Sequence, residues 1–282
     1  MGFGILRNRF SVYMLAWVPS FLICLLISFV LMTLLNYSFH VENKAWSPSI
    51  YRALLNSSSV FHTILTTLLL AAIVTIFCNM LGFPVVRLIS RTPNAQLRRF
   101  VLLGLFAVLM SGAVTRGYAW MLILGKHGIV NQTLAFFSLP SVRLMNNLWG
   151  VIITMTSVTL PFYILTLFGA MKGLTPDLER AASNLGASSW QSLRYVVIPL
   201  ALPGLVAASS VCFSLSLGAF LYPELLGGGR VRVLATAIYD DVQTAYNVPR
   251  AAALSVIFLV VALLIKFLPF CFLHLLRGVR KV

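Results

Sequence analysis

Side chains able to do chemistry are few in this sequence, and their spacing excludes most reactions. The acids number six: Glu42, Asp177, Glu179, Glu224, Asp240 and Asp241. No HExxH, no Cys/His cluster, no nucleophile elbow and no GxxxxGK[ST] phosphate loop occurs. Cys24, Cys78, Cys212 and Cys271 each sit inside an apolar run, without metal-ligand spacing, and read as buried inert thiols. His62 and His274 stand singly near the ends of apolar runs, where an interfacial histidine needs no ligand. The expectation is a chain with no catalytic residue, no metal site and no cofactor of its own. If it moves anything uphill, the energy must come from another subunit.

A second group points to recognition. Arg116, Tyr118 and Trp120 lie two residues apart, and Tyr163, Tyr222 and Glu224 sit in or beside other apolar runs. The aromatic faces can hold a cation by cation–π attraction. Glu224, just after the fifth apolar run, reads as an external contact or a solvated loop group, or as an acid at the mouth of a pathway. The same aromatics also suit the interfacial belt of a membrane protein. Arg116 suits an anionic solute, or contact with an external protein.

The third group is the segment 179–204, ERAASNLGASSWQSLRYVVIPLALPG, polar and centred on a glycine within greasy surroundings. Thr175 as N-cap, Pro176 at the first helical position and acids in the first turn predict a helix start. Ala181, Ala182 and Leu185 fall on one small apolar face. Gly186 predicts a C-cap or turn, and Ser188 or Ser189 a cap for a second short helix. Pro199 and Pro203 bracket the return to the apolar run. Two short helices joined at a glycine make a protruding knob, with alanines that let another surface come close.

These groups must be positioned by membrane spans. The 282 residues are 60% hydrophobic and 10% charged, with a mean hydropathy of +0.95, against about 45–50% and about 25% for soluble domains. Six runs reach the roughly 20 residues a bilayer crossing needs, at about 12–37, 60–86, 100–124, 149–171, 200–222 and 251–276. The first is too long for a signal peptide and lacks a cleavage site, so it reads as a retained span. The fold class expected is all-α, one transmembrane domain over 1–282 with a loop over 172–199 between spans four and five. Pro84, Pro161, Pro199 and Pro203 lie near span ends, where they predict helix termination or kinks.

The net charge of +15 reads as topology, because its basic residues cluster between apolar runs rather than on a solvated nucleic-acid-binding face. With the N-terminus inside, the inner segments hold 13 basic residues against Asp177 and Glu179, and the outer segments 8 against four acids. That bias places both termini and the 172–199 loop in the cytoplasm. No Asp or Glu falls within the six spans, which counts against a stand-alone, ion-gradient-coupled carrier.

The loop resembles the EAA loop of binding-protein-dependent ABC importer permeases, E-A-A-x-x-x-G followed by a hydrophobic-x-P ending. Here it reads Arg180-Ala181-Ala182-x-x-x-Gly186, then VVIPLALPG with Pro199. The family's Glu position is Arg180, with Glu179 one residue earlier, and an Asp common before LGAS is Asn184. Four further stretches are similar to the spermidine/putrescine/opine branch: 62–91 with its Gly-x-Pro exit, TRGYAWMLILGKHGIVNQTL (115–134), LPFYILTLFGAMKGL (160–174), and 221–256. Together the likeness runs from about 60 to 276.

The resemblance implies a type I permease subunit of the bacterial inner membrane, paired with a second permease, two cytoplasmic ATPases holding ATP and Mg, and a periplasmic solute-binding protein. The solute implied is a polyamine or opine-like compound, with an anionic solute such as a phosphonate as the alternative. Glu179, Arg180, Ala181, Ala182, Gly186 and Pro199 are then the coupling loop; with Arg180 at the family's Glu position, either Glu179 replaces that residue toward the ATPase or the loop docks mainly by shape. Arg116, Tyr118, Trp120, Tyr163, Tyr222 and Glu224 are the pathway candidates.

Overall fold

The structure is a computed structural model describing residues 3–39, 49–171 and 176–279, with side chains described over 19–39, 49–171 and 178–266. Every regular element among them is helical. Thr175, expected to cap the loop helix, lies outside the described residues.

The described residues form two compact units, one of 1–58 and 238–259 and one of 59–237 and 260–282. In the first, α1 (Phe3–Phe39) presents Phe21, Phe29 and Met32 outward, as a helix solvated by lipid must. Its end is tied to α2 (Ser49–Leu55) by a hydrogen bond from Tyr51 Oη to Ser38 Oγ at 2.7 Å. Asn247 caps the start of the last helix, where Arg250 pairs with Asp241 at 3.3 Å.

The second unit holds α3 (Ser58–Arg91), α4 (Ala95–Met110), α5 (Ala113–Leu124), α6 (Ile129–Phe136), α7 (Leu148–Met171), α8 (Pro176–Asn184), α9 (Ser189–Ser192), α10 (Ile198–Leu217) and α11 (Leu221–Gly227). The helix α12 (Leu234–Gln243) begins here and ends in the first unit, and α13 (Val248–Val279) likewise belongs to both. Among the described residues, five helices are long and apolar enough to cross a membrane: Pro19–Phe39, Ser58–Arg91, Leu148–Met171, Ser189–Leu217 and Val248–Lys266.

The core lies where α3, α7 and α10 meet. Val74, Cys78, Met155, Leu167, Ala208 and Cys212 are buried there. A Cβ on Gly204 would come within 2.8 Å of the Ala170 methyl, so glycine lets α10 and α7 approach backbone to backbone, as membrane helices do in the absence of a hydrophobic drive. A polar knot crosses this core. Asn79 Nδ2 donates to Thr75 O at 2.8 Å and to Ser209 Oγ at 2.9 Å, and Asn79 Oδ1 accepts from Tyr163 Oη at 2.8 Å. One amide thereby joins three helices with its groups satisfied.

The structure departs from the sequence expectation in two places. The run 100–124 is not one straight span. Ser111 and Gly112 take extended backbone (ψ 135° and 146°), and Ala95–Met110 and Ala113–Phe136 are bent by 99° across them. Counted as one broken span, they bring the total to six. The prolines, too, do not end helices. Pro84, Pro161 and Pro203 lie inside them. Before Pro199 the helix widens into a π-turn, Leu193–Val197, in which Ile198 N donates to Leu193 O. Proline has no N–H for the carbonyl four residues back and its ring crowds that carbonyl; a π-turn absorbs both. Residues 189–217 therefore run as one helix rather than a short helix followed by a span.

Candidate functional site

The loop between α7 and α10 is built by three local devices. First, α8 ends in a Schellman motif: Gly186 N donates to Ser183 O at 3.0 Å and Ala187 N to Ala182 O at 3.1 Å. Gly186 sits at φ +88°, a left-handed position that glycine adopts without Cβ strain. Second, Ser188 closes a capping box with Gln191: the serine Oγ accepts from Gln191 N at 3.3 Å, and Gln191 Oε1 accepts from Ser188 N at 2.8 Å. Third, Glu179 is held by the end of α3. Arg91 donates to both carboxylate oxygens, with its Nε at 3.2 Å from Oε1, and Arg87 Nη2 lies 3.6 Å from Oε2.

These pairs engage Glu179 inside its own chain and tie α8 to the end of α3. Arg180 and Ala181 are exposed, Ala182 is half-buried, and Pro199 is half-buried beyond the π-turn. The loop also displays apolar side chains: Leu185 is 89% exposed, Tyr195 71% and Trp190 66%. Arg87 and Arg91 were not singled out from sequence, although their four-residue spacing at the end of α3 puts them on one helix face.

The pathway candidates separate. Arg116 and Tyr222 come together around a cavity of about 370 Å³, also lined by Ala113, Thr159, Phe162 and Phe220. Arg116 Nε and Nη1 are shut off from solvent and have no hydrogen-bond partner, while Tyr222 Oη is 3.5 Å from Ala113 O. Trp120 is half-buried against the core, Tyr118 is exposed, and Glu224 is exposed on α11. Tyr163 is corrected: it is fully buried and its hydroxyl is taken by Asn79 in the three-helix knot, so it is a packing residue. Asn131, within the 115–134 stretch, is a loop staple. Its amide donates to Gly125 O at 3.0 Å and its oxygen accepts from Val142 N at 2.9 Å.

A second cavity, of about 560 Å³, lies by Arg143, Asn146 and Arg230, where Asn146 N donates to Leu226 O at 2.8 Å. No group of three or more His, Cys, Asp or Glu side chains among the described residues is placed to hold a metal ion.

The family described as "Binding-protein-dependent transport system inner membrane component" matches residues 97–280. The chain is 33% identical over 230 residues to the inner membrane ABC transporter permease protein YdcU of Escherichia coli K12, covering 77% of this chain and 73% of that protein. It is 30% identical over 192 residues to the spermidine/putrescine transport system permease protein PotB of Haemophilus influenzae, covering 67% of each. In fold it matches a chain of a bacterial alginate ABC transporter solved with an alginate pentasaccharide-bound periplasmic protein, with a TM-score of 0.78, 19% identity and 93% of both chains covered.

Proposed function

Because the chain belongs to the family of binding-protein-dependent transport system inner membrane components, we propose that it carries a polyamine or opine-like solute from a periplasmic binding protein to the cytoplasm. It is the permease subunit of an ABC importer, and its family consists of transport permeases rather than enzymes. In the proposed assembly a second permease completes the pathway and two cytoplasmic ATPases hold ATP and Mg. The loop 172–199 takes up their motion, and both termini lie on the same side as that loop.

The observation that carries this reading is the capped knob at 176–192, which lies wholly inside the matched segment. Its geometry is fixed at both ends by Gly186 and Ser188, and its direction by the Glu179 pairs. Leu185, Trp190 and Tyr195 stand ready for a partner. A rigid, greasy knob transmits displacement; a floppy one absorbs it. ATP binding need bias two packed states by only a few kcal/mol to switch them.

The solute class is supported by the relative named for spermidine and putrescine at 30% identity and by the 115–134 and 221–256 stretches. An anionic solute such as a phosphonate is favoured instead by Arg116, whose guanidinium faces a cavity without an acid.

The test is a mild-detergent pull-down of the tagged chain from its native host, identified by mass spectrometry. Recovery of an ATPase, a second permease and a solute-binding protein supports the importer. Recovery of the chain alone, active in liposomes without ATP, overturns it in favour of a stand-alone carrier.

A further inference from the structure

Two nitrogens of the Arg116 guanidinium, the buried Nε and Nη1, find no acceptor among the described residues, and the cavity they border holds no acid among its lining residues. A buried guanidinium donor without an acceptor is costly, and ionisable groups inside membrane proteins mark the paths of solutes and ions. Ala113, the first residue of α5, lines the same cavity, and Tyr222 Oη stands 3.5 Å from its carbonyl oxygen. Tyr222 and Thr159 also line the space, whose volume of about 370 Å³ falls within the roughly 300–1,000 Å³ of small-molecule sites.

Size and charge therefore agree. We infer that the Arg116 cavity is a subsite for a carboxylate of the transported solute, so that the cargo class is a carboxylate-bearing compound, with or without amines, rather than a plain polyamine. This rests on the permease reading above and narrows its solute. A polycation entering the cavity would meet a fixed cation, while a carboxylate would satisfy it.

The test reads the cavity's charge without knowing the natural solute. Ala219→Cys places a thiol in the lining. In the complete transporter, held in nanodiscs of neutral phosphatidylcholine, this thiol is labelled with an anionic sulfonatoethyl or a cationic trimethylammonioethyl methanethiosulfonate. Each reagent forms a mixed disulfide and releases methanesulfinate. Labelling at 219 is followed by peptide mass spectrometry, and rates are divided by those for a free thiol. The expected normalised preference for the anionic reagent is about tenfold or more, the range a focused positive cleft gives. Arg116→Gln abolishes it and Arg116→Lys retains it. 4-Aminobutyrate slows the labelling, and 1,4-diaminobutane, equal in length but without the carboxylate, does not.

Equal normalised rates, a preference untouched by Arg116→Gln, no labelling by either reagent, or protection by the diamine would each overturn the inference. Protection that appears only when phosphatidylglycerol is added would assign the site to lipid phosphate and overturn it as well. Failure of the permease reading is seen separately, as absence of the ATPase from the purified complex.

Discussion

Glu179 and Arg116 are both single charges near the start of a helix, and the chain treats them in opposite ways. Glu179 is met by two arginines from α3, 88 residues away in sequence for the nearer pair. Arg116 has two buried donors with no acceptor at all. An answered charge fixes geometry, because moving either partner leaves a charge uncompensated. An unanswered charge fixes nothing within the chain; it waits for something that arrives. The loop needs rigidity to pass on motion, and the cavity needs an open valence to hold a guest.

Four substitutions can break or sharpen that contrast. Gly186→Pro has the largest expected effect. Proline is locked near φ −65° while Gly186 sits at +88°, so the Schellman turn is lost. ATP-dependent uptake should fall about a hundredfold, the cost of misplacing a working group by about 1 Å, with membrane insertion unchanged on a blot. Uptake at the normal rate would remove the loop from the mechanism.

Glu179→Lys comes next, setting three cations side by side. Uptake should fall about tenfold, the equivalent of about 1.4 kcal/mol. The double reversal with Arg91→Glu should recover most of the loss, as coupling in a double-mutant cycle requires. Independent, additive losses would show that the pair is a surface accident, since exposed ion pairs contribute only about 0–1 kcal/mol.

Arg116→Gln should act with the opposite sign on stability. Removing an unanswered buried charge should leave the melting temperature of the detergent-solubilised complex unchanged or raised, while Glu179→Gln lowers it. A drop with Arg116→Gln, measured by dye-free scanning fluorimetry, would mean that the guanidinium is structural. The smallest effect is expected from Ser188→Ala. Losing an N-cap costs about 0.5–2 kcal/mol locally, felt as a modest loss of uptake because the Glu179 pairs still hold the first half of the loop.

Much of this was readable from the chain. Apolar run length gave five of the crossings, and the spacing of Pro176, Gly186 and Ser188 gave the knob, because caps and left-handed turns are local chemistry. The bend at Ser111–Gly112 was hidden because hydropathy is a sum over residues and carries no direction: the run 100–124 is equally apolar whether straight or folded. The prolines misled for a related reason. Their cost falls on one carbonyl, and a π-turn or a neighbouring helix removes that cost without ending anything. The Glu179–Arg91 pair joins positions too distant for any periodicity to connect. Tyr163 was grouped with the candidate pathway aromatics because sequence records that a ring has a hydroxyl but not that Asn79 is waiting for it.

The three-helix knot at Asn79 also has a consequence for biogenesis. Ser209 lies 130 residues after Asn79, and ribosomes add about 5–20 residues per second. For several seconds, then, α3 is made while its partners do not yet exist. During that interval the Asn79 amide can bond its own helix at Thr75 O, but its oxygen has no acceptor role to play in lipid until Tyr163 and Ser209 arrive. The half-made chain therefore carries a time-limited polar defect, the kind of signal by which an insertion or quality-control machine can tell an unfinished permease from a finished one.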